Sequence, residues 1–394
     1  MWRIRSGVSL AGVAAPTQIS ARGSWSRQRS LQTTGMASST RRLYSPPVHE
    51  SPAKPRGPRL RELGLRIGEL EPGATDSIVD VAGVRVGHVT IWRDEAEPPE
   101  GRGVARTGVT AVVPGSLPLS AGVAVLNGAG ELTGSHEIRE WGLLETPVYL
   151  TSTMAVGRIY DGAVEVAVRG NPRVGVDDVV IPVVGECDDS HLSEARVVQV
   201  EAGDAAQAVA GATGWPFDEG AVGAGAGMSC LGWKGGIGSA SRIAGGHAVG
   251  VLVLANFGSA RQLRFGGVPV GEFLPGGGRS KPAGSCIAVV ATDTPLGAGS
   301  LERVARRAGL GLARTGSVGH HGSGEIFLAF STSRGDEVAV RGLDSIFAAT
   351  VDATEEAVLN ALWAAPDVEG REGRLERGLP HDQVLDLLRA RGVL

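Results

Sequence analysis

Sixty of the 394 residues are glycine, about twice the usual share of ~7%. They lie within apolar, turn-rich sequence and show no collagen-like period. A chain so rich in residues without a Cβ folds through tight turns and close backbone approaches. Aromatic residues make up only 4% of the chain, so small side chains must fill much of the core. The length allows one extended domain or two ordinary ones.

Apolar runs bounded by turn residues predict strands at Gly108–Val113, Pro147–Thr151, Val179–Val184, Ala248–Ala255 and Ser285–Thr292, and at Glu325–Ser331. Ser77–Ile91 reads as strand, glycine turn, strand, and the folded part is expected to begin near Ser77. Helical spacing of apolar residues marks Leu192–Ala212, Leu301–Arg314, Ala353–Trp363 and Gln383–Arg391. Gly220–Gly227 and Pro275–Gly284 read as glycine-rich loops. Strands and helices in alternating groups imply a layered α/β architecture.

The formal net charge of -4 gives no reason to expect a nucleic-acid partner. No apolar run reaches the ~18–20 residues of a membrane-spanning helix. The three cysteines, Cys187, Cys230 and Cys286, form neither a disulfide framework nor a zinc signature. A reducing, cytoplasmic setting is the simpler reading.

Residues 1–60 differ from the rest. Met1 to His49 contains no acidic residue and is rich in arginine and serine, as in a mitochondrial transit peptide. The plainer reading is a disordered tail or a start at Met36, and a weak secretory signal built on Arg3, Arg5 and Gly7–Ala15 is a third. Pro46, Pro47, Pro52, Pro55 and Pro58 then mark a linker.

Ser285 opens an apolar strand directly after Gly284. A serine there is most often a turn or strand-edge residue, yet the placement suits chemistry. Its hydroxyl can attack the carbonyl of the preceding glycine, which adds no obstructing side chain. Ester formation and hydrolysis would leave Ser285 as a new N-terminus. An α-amine titrates near pKa ~8, suitable for a general base, and its pairing with a hydroxyl nucleophile is an established arrangement. Asn256 ends a strand, where its amide can donate to an oxyanion or simply form a turn with the glycine at 258. Ser323 and Glu325 lie two apart, so on an extended segment they share one face; an exposed polar strand start reads as well.

Three other features carry less. Gly223–Gly227 lacks the spacing of a dinucleotide loop. His320 and His321, adjacent on a loop, have no further ligand pattern for a metal. Cys286 points to the opposite face of its strand from Ser285.

Together the segments DVAGVRVGHVT (80–90), RTGVTAVV (106–113), LNGAGELTGSH (126–136), GAGAGMSCLGWKGGIGSAS (223–241), GVLVLANFG (250–258), GSCIAVVATDTPL (284–296) and LGLARTGSVGHHGSGEIFLAFST (310–332) resemble the self-processing aminopeptidases of the L-aminopeptidase/D-esterase group. This is the DmpA or P1 family, which includes β-peptidyl aminopeptidases. The resemblance runs from about Leu60 to Ser331 and more loosely beyond.

It implies a four-layer αββα sandwich, like the N-terminal-nucleophile hydrolases but with different strand connectivity. It implies cleavage between Gly284 and Ser285 into chains 61–284 and 285–394, with Ser285 as nucleophile and Asn256 stabilising the oxyanion. Ser323 and Glu325 would assist proton transfer, and Glu186 would bind the substrate's free amino group. Some members carry tyrosine two residues after that glutamate. Asp188 stands there instead, so substrate preference is expected to differ. The implied substrates are short peptides, amino-acid amides or esters, with no metal or other cofactor, and αβ units that assemble as a homotetramer. Two rivals stand beside this: an ornithine-acetyltransferase-like acyl transferase, which would use threonine as nucleophile, and an uncut relative that only binds amino compounds.

Overall fold

The computed structural model describes residues 57–275, 284–333 and 342–394, all within one unit that begins at Pro47. The expected targeting segment at 1–49 and most of the glycine-rich stretch before Gly284 lie outside these residues. Fourteen strands are present among them: β1 Arg85–Asp94, β2 Val104–Val113, β3 Leu119–Gly128, β4 Leu143–Leu144, β5 Val148–Ser152, β6 Val183–Cys187, β7 Ser229–Cys230, β8 Trp233–Lys234, β9 Gly236–Ala244, β10 His247–Asn256, β11 Gly284–Thr292, β12 Ser323–Ser331, β13 Val368–Glu369 and β14 Leu375–Glu376. The α-helices are α1 Ser135–Trp141, α2 Val156–Gly170, α3 Gly203–Ala210, α4 Ala298–Arg314, α5 Leu343–Ala364 and α6 His381–Ala390.

Two sheets carry the fold. One has the order β1-β2-β5-β6 and the other β4-β3-β12-β11-β10-β9. The pairs β5/β6 and β11/β12 are parallel, and α2 and α4 make the crossovers that parallel neighbours require.

Alternation along β11 shows how the layers form. Ile287, Val289 and Ala291 enter the core between the sheets. Cys286, Ala288 and Val290 enter a second core under α4 and α5. A third core joins Val109, Ala111 and Tyr149 of the smaller sheet to Ile159, Ala163, Ala205 and Ala208 of α2 and α3. Helices, sheet, sheet and helices are thus stacked as the expected αββα sandwich. Glycine permits the tightest contacts: a Cβ on Gly238 would lie 2.0 Å from the Ala357 carbonyl of α5, and one on Gly122 2.2 Å from the Glu302 nitrogen of α4.

Several sequence expectations need correction. The first half of Ser77–Ile91 is a 3-10 turn, Ile78–Asp80, because Asp80 accepts from the Ser77 backbone N–H at 3.1 Å and closes a capping box. The folded part begins well before Ser77: Leu60 is buried among the helix-side apolar residues, and Trp363 donates to the Pro58 carbonyl at 3.0 Å. Of Leu192–Ala212 only Gly203–Ala210 is helical. The strand expected at Val179–Val184 starts at Val183 and continues to Cys187. Strands β3 and β9 and helices α1 and α2 were not anticipated.

Candidate active site

Gly284 and Ser285 open β11 in the middle of the larger sheet. On one side Ser285 pairs with Asn256 of β10. On the other Ser285 pairs with Gly324 of β12, while Gly284 pairs with Ser323. Directly paired residues project to the same face, so the Ser285 and Asn256 side chains both point between the sheets. Ser285 is 4% exposed and Asn256 1%.

The Asn256 carboxamide has a fixed orientation. Its Oδ1 accepts from the Ser229 backbone N–H at 2.9 Å, and its Nδ2 donates to the Asp188 carbonyl at 2.9 Å. One Nδ2 hydrogen serves that bond, and the other remains for a second acceptor. Asp188 therefore meets Asn256 through its main chain. Its exposed side chain closes a local turn by accepting from the Ser190 N–H at 2.9 Å.

Cys187, the last residue of β6, brings its thiol against the Ser285 hydroxyl and donates to the Leu254 carbonyl at 3.6 Å. Burial holds that thiol far above its ordinary range, so Cys187 stays neutral. Cys286 faces the helix-side core, as alternation requires.

Ser323 and Glu325 share a face, and the Ser323 hydroxyl donates to Glu325 Oε1. That face is the one toward α4 and α5, opposite to the Ser285 side chain, because Glu325 pairs with Cys286. Burial raises the Glu325 carboxyl, opposed by hydrogen bonds from Ser323 and Asn127 and by the His320 imidazole. Asn127 is the β3 partner of Glu325 and also donates to the His320 carbonyl at 2.6 Å.

Glu186 approaches from the smaller sheet. Its Oε1 accepts from the Glu131 N–H at 2.9 Å, and its Oε2 from the Thr153 hydroxyl. Burial raises its carboxyl above the ordinary value, and the charges of Asp188 and Glu131 add to the rise. The loop at Gly130 joins this carboxylate to the serine row. A Cβ on Gly130 would lie 3.2 Å from Glu186 Oε1 and 3.4 Å from the Cα of Gly324, the residue beside Ser285. Three carboxylates in this neighbourhood make it suited to a cation.

Ser285 and Asn256 thus share the face between the sheets, Ser323 and Glu325 lie beside Gly284 and Ser285 on the opposite face of the larger sheet, and Glu186 reaches the Gly130 loop from the smaller sheet. Thr153, Asn127 and the Glu131 amide complete the arrangement and were missed in the sequence, since nothing local marks them. Gly223–Gly227 is a buried turn: a Cβ on Gly223 would lie 2.4 Å from Thr110 Oγ1. Among the described residues no group of three or more His, Cys, Asp or Glu side chains is placed to hold a metal, and no helix is long and apolar enough to cross a membrane.

Comparison with known proteins identifies the family. The model of peptidase family S58 matches residues 76–376. The β-peptidyl aminopeptidase BapA of Sphingosinicella microcystinivorans is 38% identical over 379 residues, which is 86% of this chain and 93% of the relative. The PH0078 protein of Pyrococcus horikoshii OT3 superposes with a TM-score of 0.81 at 39% identity, covering 85% of this chain and 100% of that one. The L-aminopeptidase D-Ala-esterase/amidase of Ochrobactrum anthropi, described as a prototype for the serine aminopeptidases and a variant of the Ntn hydrolase fold, gives 0.79 at 37% identity, covering 86% and 100%. This chain belongs to peptidase family S58 and is a peptide-bond hydrolase with the N-terminal-nucleophile fold.

Proposed function

We propose that this hydrolase severs its own Gly284–Ser285 bond and then works as an aminopeptidase on short peptides, amino-acid amides or esters that carry a free amino group. The observation that carries the reading is the direct pairing of Ser285 with Asn256, whose Nδ2 keeps one hydrogen for a developing oxyanion.

In the first stage Ser285 Oγ attacks the Gly284 carbonyl carbon, the C–N bond breaks, and the glycyl group passes to oxygen as an ester. Water hydrolyses the ester, leaving a carboxylate on Gly284 and a free amine on Ser285. The strand position vacated by Gly284 lies opposite Ser323, so the new amine gains the Ser323–Glu325 pair as its neighbour.

In the second stage Ser285 Oγ attacks the substrate carbonyl and its proton passes to the Ser285 amine. Asn256 donates to the oxyanion, a contribution worth ~10²–10³ in rate. The leaving group departs with that proton, and water releases the acyl group from the serine. Glu186 holds the substrate ammonium through a charge-assisted hydrogen bond. Asp188, whose charge adds to that of Glu186, tunes which substrates are preferred.

On this reading the chain up to Gly284, whose packed part already includes Pro58 and Leu60, is one mature chain and 285–394 the other, with the αβ units assembling as a homotetramer. The three free, buried cysteines favour a cytoplasmic setting. Intact mass under denaturing conditions tests the reading. The wild type should give two masses that divide at 284/285, and Ser285→Ala one mass without turnover. A single full mass in active enzyme would overturn it.

A further inference from the structure

Lys234 is a buried cation outside the site described so far. It lies on β8, is 0% exposed, and directs its Nζ at three backbone carbonyls: Gly225 at 3.0 Å, Met228 at 2.7 Å and Gly235 at 2.8 Å. Three acceptors match the three donors of an ammonium. Lysine is almost never buried so completely unless it is paired, and what this one holds is informative.

The Met228–Ser229 peptide is the connection. Its carbonyl accepts from Lys234 Nζ, and also from the Gly235 N–H at 3.0 Å. Its N–H donates to Asn256 Oδ1 at 2.9 Å. One rigid amide plane therefore links the lysine to the carboxamide across the strand from Ser285. The segment also holds an unfavourable backbone: Leu231, at the β7–β8 turn, has φ +48°, and its N–H donates to the Phe257 carbonyl at 2.6 Å. A bulky residue in that region persists only when its surroundings over-determine it. Lys234, bonded to carbonyls on both sides of the turn, supplies that constraint.

We infer that Lys234 is a positioning residue for catalysis: by fixing the Met228–Ser229 peptide it sets the orientation of the Asn256 amide toward the carbonyl under attack at Ser285. Burial lowers its ammonium to about 7, with Glu376 opposing the shift. Three charge-assisted bonds favour the protonated form.

The inference rests on the oxyanion role proposed for Asn256, and the test separates the two. Lys234→Met, Asn256→Ala and the double variant are prepared as full chains. Self-cleavage is followed by intact mass, turnover is expressed per cleaved chain, and hydrogen exchange is read at the Ser229 amide. Where Lys234→Met does not fold, Lys234→Gln replaces it. The expected result for the lysine variant is kcat lower by about 10–100-fold, KM within about threefold as befits a transition-state contact, and faster exchange at Ser229. The double variant should be no slower than Asn256→Ala alone. Where a variant matures too slowly for turnover, the same cycle is read on the self-cleavage rate. A folded lysine variant with unchanged kcat, or losses that multiply in the double variant, overturns the positioning role. Full activity in Asn256→Ala alone overturns the oxyanion role and this inference with it.

Discussion

A Cβ atom on Gly284 would lie 1.7 Å from the carbonyl oxygen of Asn256 and 2.9 Å from the Cα of Phe257. The residue before Ser285 is thus glycine for a steric reason belonging to the folded state: β10 crosses where any side chain would stand. Gly284→Ala should force β11 away from β10, with an overpacking penalty of about 1–3 kcal/mol. Self-cleavage should slow by at least about tenfold, since attack depends on closely held geometry. A time course of intact mass after expression checks this.

Glu186 provides a pH prediction. Its carboxyl is raised above the ordinary 4.5 by burial first and then by Asp188 and Glu131. Below its pKa the group is neutral and could not hold an ammonium by charge. The acid limb of kcat/KM should therefore fall at higher pH than for an ordinary glutamate. Asp188→Asn removes one raising charge while preserving an Oδ1 acceptor for the Ser190 N–H, so the limb should move to lower pH. Rate profiles of the two enzymes from pH 4 to 8, taken as roughly the span across which carboxylates and histidines titrate, would show it.

Glu186→Gln should raise KM by about tenfold or more for substrates with a free amine. Esters or amides lacking that amine should be turned over no worse than by the wild type. The comparison of the two substrate classes checks the assignment through its contrast rather than through absolute rates.

Ser323→Ala removes the hydroxyl that donates to Glu325 Oε1. A buried carboxylate that loses such a donor is destabilised by about 1–3 kcal/mol, and its carboxyl should rise further. The melting temperature should drop, and the acid limb of kcat should move to higher pH. Calorimetry and a pH–rate profile on one preparation separate the two effects.

Far from the site, Arg242 is wholly buried, paired with Glu356 and lying 3.4 Å from Asp76 Oδ1. Arg242→Met keeps the volume but leaves two acids short of a cation. Breaking a buried pair in this way typically costs about 3–5 kcal/mol. The variant should melt well below the wild type, with little change in KM.

The β11 strand was legible because Ser285–Thr292 is a continuous apolar run after a glycine, and the opposed faces of Ser285 and Cys286 followed from strand alternation. Its neighbours were not legible from the residues themselves. Asn256 and Ser323 meet Gly284 and Ser285 through long-range register, which no local pattern encodes, and only the family resemblance brought them together. Strands β3 and β9, with LSAGVAVLNG and GIGSASRIA, are poor in the β-branched and aromatic residues that announce strands; helices α4 and α5 bury them instead. The reverse error arose at Leu192–Ala212, where Val197, Val198 and Val200 have helical spacing but serve loop packing. The Ser77–Asp80 cap was readable as a serine followed three residues later by an acid. Lys234 was not, since a lysine in sequence ordinarily signals a solvated face.

The order β4-β3-β12-β11-β10-β9 has a bearing on how such a molecule is made. Position 284/285 falls so that the two central strands lie on its downstream side, while the strands flanking them on both sides lie upstream. Scission there would yield polypeptides woven into each other, bound by ladders along two seams and separable only by melting the whole sheet. Assembly would then have to precede scission, since fragments synthesised separately would have to thread a finished gap, and the uncut chain would be the species that folds.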